Sequence, residues 1–251
     1  MNRRMSCCTT SSCEREELPP ESTPEPPASL RIPLTVPDAT KMLFSERRFL
    51  RLLGSFCRDQ REELMKAAAL VRTEEEFQRA IGLPLLEAIL RRTATDVEFV
   101  GLENLTAVPS CLFVSNHRDI VLDPALLNGS LIRAGRAMPH VAVGNNLLQA
   151  GWMQAFFRLC KCFVIQRDAK GKQLYEQSRN VSQFVRTALE TEQTVWIAQR
   201  PGRTKDGIDK TEPALLRMLL LAYEGNVPPS TVPLYVTPLA VSYEYEPCDV
   251  H

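Results

Sequence analysis

The sequence predicts an α/β fold, a mostly parallel or mixed sheet flanked by helices and preceded by a helical N-terminal segment. Three observations carry this. After Thr95, short apolar runs alternate with longer stretches of helical periodicity. The runs Cys111-Leu112-Phe113-Val114, Phe163-Val164-Ile165 and Val195-Trp196-Ile197-Ala198 have the continuous apolar character of strands buried on both faces. Each is followed within a few residues by chemically competent side chains, first His117, then Arg167, then Arg200, and a parallel sheet gathers its ligands at such strand ends.

Taken in order, residues 1 to about 40 read as a leader. Prolines stand at 19, 20, 24, 26, 27, 33 and 37, with a Glu/Ser-rich stretch between Ser11 and Glu25, a composition that favours disorder. It lacks the apolar core of a secretory signal, so no export is expected. Cys7-Cys8 reads as part of a solvated tail, with lipidation as the alternative.

Residues 41–94 form the helical segment. Leu43, Phe44, Phe49, Leu50, Leu52, Leu53 and Phe56 make an apolar stripe flanked by Arg47, Arg48, Arg51 and Arg58. Two readings stay open: an interfacial helix on an anionic membrane, or a helix packed on the core. A second helix is predicted over 73–92, with Thr73 and Glu76 spaced as a capping box and Gly82 and Pro84 interrupting it.

Residues 95–251 form the α/β domain. Strands are expected at 97–101, 111–115, 140–144, 162–167, 194–199 and 234–243. Helices are expected at 120–134, 146–159, 172–191 and 212–224. Trp152, Phe156 and Phe157 read as core residues, or else as an apolar lip for a ligand chain. The uncharged windows 137–157 and 225–243 contain too many polar residues or prolines to span a membrane, so membrane contact is expected to be peripheral.

The chemistry centres on Ser115-Asn116-His117-Arg118-Asp119-Ile120-Val121-Leu122-Asp123-Pro124. A histidine can take and return a proton near neutral pH, and a carboxylate can hold its ring. Asp119 and Asp123 are four apart, one helical turn, and either can reach the ring. The plainer alternative makes Asp119 a helix cap and His117 a loop residue. His117-Arg118-Asp119 also spells the start of a kinase catalytic loop. Pro124 stands where that loop needs asparagine, and no Asp-Phe-Gly accompanies it, so a kinase is set aside.

With these residues in view, residues 95 to 245 resemble the phospholipid/glycerol acyltransferase family, the glycerol-3-phosphate and lysophosphatidic acid acyltransferases. The resemblance rests on Asn116-His117 with a following aspartate and on the strand closing at Arg167. It continues in the Gly202-Arg203 turn and in Val236-Thr237-Pro238-Leu239-Ala240-Val241. It implies His117 as catalytic base with Asp123, or else Asp119, orienting it. It also implies Arg167, Arg200, Gly202, Arg203 and Lys205 as ligands of an acceptor phosphate.

The implied reaction moves a fatty acyl group from acyl-CoA or acyl carrier protein to a hydroxyl of a phosphorylated glycerolipid at a membrane surface, with neither metal nor cofactor. The alternatives are a thioester hydrolase and a non-catalytic lipid-binding protein. Two departures stand out. Five residues separate His117 from Asp123 where the family has four, and Pro201 occupies the place of the family's glutamate before Gly-Thr-Arg. The chain stops at Val250-His251 soon after a strand, where the family runs on, so a truncated chain with part of an acyl-chain pocket missing is expected.

The remaining composition fits a reducing, cytoplasmic, peripherally membrane-associated protein. Of 251 residues, 44% are hydrophobic, enough for a sizeable core. Lys+Arg and Asp+Glu both number 30, so no basic field points to nucleic acid. Eight cysteines without CxxC pairs read as free thiols, with Cys111, Cys160 and Cys162 buried.

Overall fold

The computed structural model describes residues 24–105, 108–204, 208–224 and 234–245. Five strands, β1 (Leu112–Ser115), β2 (His140–Gly144), β3 (Cys162–Ile165), β4 (Val195–Ala198) and β5 (Val236–Leu239), form one sheet in the order β3-β2-β4-β1-β5. Every pairing is parallel, so the parallel form of the expected sheet is the one adopted. The register aligns the strand ends, with Ser115 beside both Ala198 and Leu239, and Ile165 beside Gly144.

Alternation along each strand divides the core between the two faces. Phe113, Val141, Val143, Val164 and Trp196 pack with Leu127 and Leu131 of α6 (Leu122–Arg133) and Phe157 of α7 (Gly151–Leu159). Leu112, Phe163, Val195 and Ile197 pack with Val181, Phe184 and Val185 of α8 (Gly171–Glu190) and Leu219 of α9 (Pro213–Leu220). Phe163 is fully buried, and burial of a side chain of that size contributes roughly 2–3 kcal/mol. The aromatic residues of α7 pack inward: Phe157 is buried, and Trp152 and Phe156 are partly buried against the helical core.

The N-terminal segment adds α1 (Val36–Ser45), α2 (Arg47–Phe56), α3 (Arg61–Leu70), α4 (Glu74–Phe77) and α5 (Leu83–Thr93). The expected capping box forms, with Thr73 Oγ1 accepting from Glu76 N and Glu76 Oε2 accepting from Thr73 N. The expected break near Gly82 is a π-helical stretch, Gln78–Gly82, that joins α4 to α5. It carries Gln78, which is buried, donates to Leu159 O of α7 at 3.1 Å and accepts from Asn128 Nδ2 of α6 at 2.9 Å. In α2, Phe49 and Leu53 enter the core shared with α7, so that face is the packed one, while Arg47, Arg48 and Arg51 point outward beside a partly exposed Leu52.

Three expectations are corrected. Order begins well before residue 41: Leu30 packs on the α8 face and Ile32 on the α6 face, and α1 starts at Val36 with Thr35 as N-cap and Pro37 in its first turn. The alternating apolar positions 30, 32 and 36 are buried and Leu34 partly so, and the prolines suit an extended strap leading into a helix. Residues 97–101 are not a strand. Asp96 Oδ1 caps Val97 N, Gly101 turns at φ +87°, and Val100 is 82% exposed. The last strand is shorter than 234–243. Cys7 and Cys8 lie outside the described residues, among which no helix is long and apolar enough to cross a membrane.

Cys111 and Cys162 are buried and Cys160 is partly buried; burial raises the first two and pushes Cys160 up to about 12, which disfavours the reactive thiolate. His140, at the start of β2, is buried edge-on against Phe184 with both ring nitrogens unpartnered among the described residues. Burial, with Lys161 nearby, lowers it to about 3. Between pH 6.5 and 3 the unfolded chain therefore binds a proton that the folded chain refuses, and stability falls as pH falls, by at most roughly 1.4 kcal/mol per unit. His140→Leu is expected to flatten this decline in denaturant melts across that range, and an unchanged slope would exclude His140 as its source.

Candidate active site

The loop after β1 is built around one carboxylate. Asp123, in the first turn of α6, is 0% exposed. Its Oδ2 accepts from Arg118 N at 2.7 Å and Asp119 N at 3.0 Å, and it contacts His117 Nδ1 at 3.0 Å; its Oδ1 accepts from Tyr243 Oη at 2.9 Å. Such donors offset the cost of burying a charge, and the helix N-terminus adds a favourable field. With an ionised Asp123, Nδ1 of His117 carries the proton and Nε2 is left as the acceptor. The ring is 12% exposed and meets Trp196 edge-on, at 6.0 Å between centroids.

Asp119 occupies the other position that the sequence left open. Its Oδ1 accepts from Val121 N at 2.8 Å and Leu122 N at 2.7 Å, so it caps the turn that starts α6. With five intervening residues, capped by Asp119, Asp123 still reaches the ring.

The turn after β4 closes onto this loop. Thr204 N donates to His117 O at 2.8 Å, and Thr204 Oγ1 donates to Asp209 Oδ1 at 2.6 Å. Asp209 also pairs with Arg118 at 2.9 Å. Gly202 sits at φ +80°, a conformation that favours glycine, and Arg203 stands one residue before the buried Thr204. Arg200 donates to Ile208 O at 3.3 Å, Pro201 is exposed, and Lys205 lies outside the described residues. On the His117 side of the sheet, Ser115 Oγ and Trp196 Nε1 are buried without a partner among the described residues.

Arg167 is not brought to this group. β3 is three strands from β1, a lateral offset of about 14 Å at ordinary strand spacing. Its side chain lies over Gly144, where a Cβ would come within 2.4 Å of Nε, and Asn145 Oδ1 accepts from its backbone N. The expected meeting of three strand ends thus reduces to two adjacent ones, β1 and β4. Among the described residues no cluster of three or more His, Cys, Asp or Glu could hold a metal.

Tyr243, Thr204, Asp209 and Trp196 were not anticipated. Thr204 and Asp209 carry no local signal, since their role appears only when two loops meet. Tyr243 had one: it closes the strand expected at 234–243, at the same end of the sheet as His117 and the turn bearing Arg200.

A family model described as Acyltransferase matches residues 96–240. The chain belongs to this family, that of the glycerol-3-phosphate and lysophosphatidic acid acyltransferases. No curated protein matches the chain. In this acyltransferase the matched region spans β1 to β5, including the His117 loop and the turn after β4, while Tyr243 lies just beyond it.

The two aspartates differ in what they can tolerate. Asp123→Asn turns an amide toward donors that need an acceptor and is expected to cost about 3 kcal/mol, whereas Asp119→Asn keeps an accepting oxygen and costs less than about 1 kcal/mol. Urea melts of the two variants test this ranking, and equal losses would contradict the carboxylate-centred account.

Proposed function

We propose that this acyltransferase moves a fatty acyl group from a thioester donor, acyl-CoA or acyl carrier protein, to a hydroxyl of a phosphorylated glycerolipid. The observation that carries this reading is the His117 Nδ1 to Asp123 contact, which leaves Nε2 without a hydrogen-bond partner among the described residues, at the C-terminal end of the sheet. The acceptor oxygen attacks the thioester carbonyl as Nε2 takes the hydroxyl proton. The carbon–sulfur bond then breaks, and the imidazolium returns the proton to the departing thiolate. No acyl-enzyme is required, because the thioester is already activated. General-base assistance of this kind contributes roughly two to four decades of rate.

The acceptor phosphate is assigned to Arg200 and Arg203 because their turn is tied to the His117 loop through Thr204 and a guanidinium fork matches phosphate oxygens. Arg167, three strands away, is assigned at most an outer role. The exposed Arg47, Arg48 and Arg51 of α2, with an exposed Leu52 beside them, support docking at an anionic membrane surface.

A product assay with radiolabelled palmitoyl-CoA or palmitoyl-acyl carrier protein, and with lysophosphatidic acid or glycerol-3-phosphate, tests the reaction. Acylated lipid is expected from the wild type and at least about a hundredfold less from folded His117→Ala. Free fatty acid without acylated lipid would favour a hydrolase, and no turnover with any donor would favour the lipid-binding alternative that Pro201 suggests. Arg203→Lys is expected to raise acceptor KM about tenfold with donor KM nearly level. Sedimentation with phosphatidylglycerol vesicles is expected at low salt and release at high salt, and failure to bind at any salt would oppose membrane docking through α2.

A further inference from the structure

The segment after β5 reaches the same buried carboxylate from outside the loop that holds His117. Tyr243 donates its hydroxyl to Asp123 Oδ1 at 2.9 Å, while His117 meets Oδ2 at 3.0 Å. The segment is itself fastened to the residue before the histidine: Asn116 Nδ2 donates to Val241 O at 2.9 Å, and Val241 N donates to Asn116 Oδ1 at 2.8 Å. The side chain of Asn116 thus mimics a strand partner where β1 has ended. Tyr243 and His117 are thereby held to one another through Asn116 on one side and Asp123 on the other.

We propose that Tyr243 is a positioning residue for the His117–Asp123 pair, its hydroxyl fixing the rotation of the Asp123 carboxylate and drawing part of its charge away from the imidazole. The kinetic half of this inference rests on the acyl-transfer reading, and the geometric half does not. A carboxylate turns about a broad, two-fold torsion. Three donors crowd Oδ2, and the phenol anchors the opposite oxygen, so rocking that would swing Oδ2 off the ring is resisted. The hydroxyl also shares the negative charge that His117 would otherwise face alone. The charged groups on the segments that meet here are Arg118 and Asp119 on the same loop, Arg200 and Arg203 on the turn after β4, Asp209, which pairs with Arg118, and Glu244 beside Tyr243.

Tyr243→Phe removes one oxygen and keeps the ring. It is expected to lower kcat about tenfold with palmitoyl-CoA and lysophosphatidic acid while both KM values stay within about twofold. The Nδ1 proton resonance of His117, one of three histidines, is expected to be displaced or broadened. Tyr243→Leu should lose kcat to the same extent and melt lower as well. A purely structural role predicts instead that Tyr243→Phe matches the wild type in kcat and in the resonance while only Tyr243→Leu is impaired, and that result overturns the proposal. In the unaltered protein the Tyr243 hydroxyl proton is expected to resist exchange, and free exchange would also overturn it. If the wild type transfers no acyl group, the functional reading fails by itself. The resonance then decides the role of Tyr243, an unchanged Nδ1 proton in Tyr243→Phe counting against it.

Discussion

A carboxylate with no solvent around it must find hydrogen-bond donors inside the protein, and Asp123 finds them on separate parts of the chain. Two are backbone amides of its own loop, one is the imidazole of His117, and one is a phenol arriving 120 residues later. An unmet buried charge costs several kcal/mol. The loop after β1, the first turn of α6 and the segment after β5 therefore cannot settle independently. Satisfying that one group also fixes the histidine: Nδ1 of His117 is taken up by Asp123, and Nε2 is the ring nitrogen that the carboxylate leaves unengaged.

The parallel sheet makes this gathering possible. Because every described strand runs the same way and the register aligns their ends, the loops after β1 and β4 emerge side by side. Thr204 and Asp209 then join them by short hydrogen bonds and an ion pair with Arg118. The same topology sends Arg167 to the far edge. Strand order, which pairs β4 between β1 and β2, decides which cations lie near the histidine and which do not.

Much of this was legible from the chain. Continuous apolar runs marked the strands, and the Thr73 and Glu76 spacing marked a helix start. The Asn-His block with its trailing aspartates marked the loop in which His117 and Asp123 meet, because these signals are local. What stayed hidden depends on partners distant in sequence. Asp119 and Asp123 are equivalent by helical spacing, and only the fold assigns one to capping and the other to the ring. Residues 97–101 look like a strand, yet no partner edge is supplied to them. Residues 30–36 look like part of a disordered leader, although Leu30 and Ile32 are buried on opposite faces of the sheet and Val36 in the helical core. No spacing rule links Tyr243 to Asp123, since the two meet only because β5 lies next to β1.

The buried amide of Gln78 has a mechanical meaning. One side chain holds α6 by its oxygen and α7 by its nitrogen, from a stretch of π-helix in the middle of the N-terminal helices. A π turn is a poor way to continue a helix, but it places that amide where both neighbours can be held. The N-terminal helices are thus bolted to the two helices that cover one side of the sheet, and they turn with it as a single piece. The outward arginines of α2 are therefore fixed in orientation relative to the sheet, and through α6 relative to Asp123 at the start of that helix.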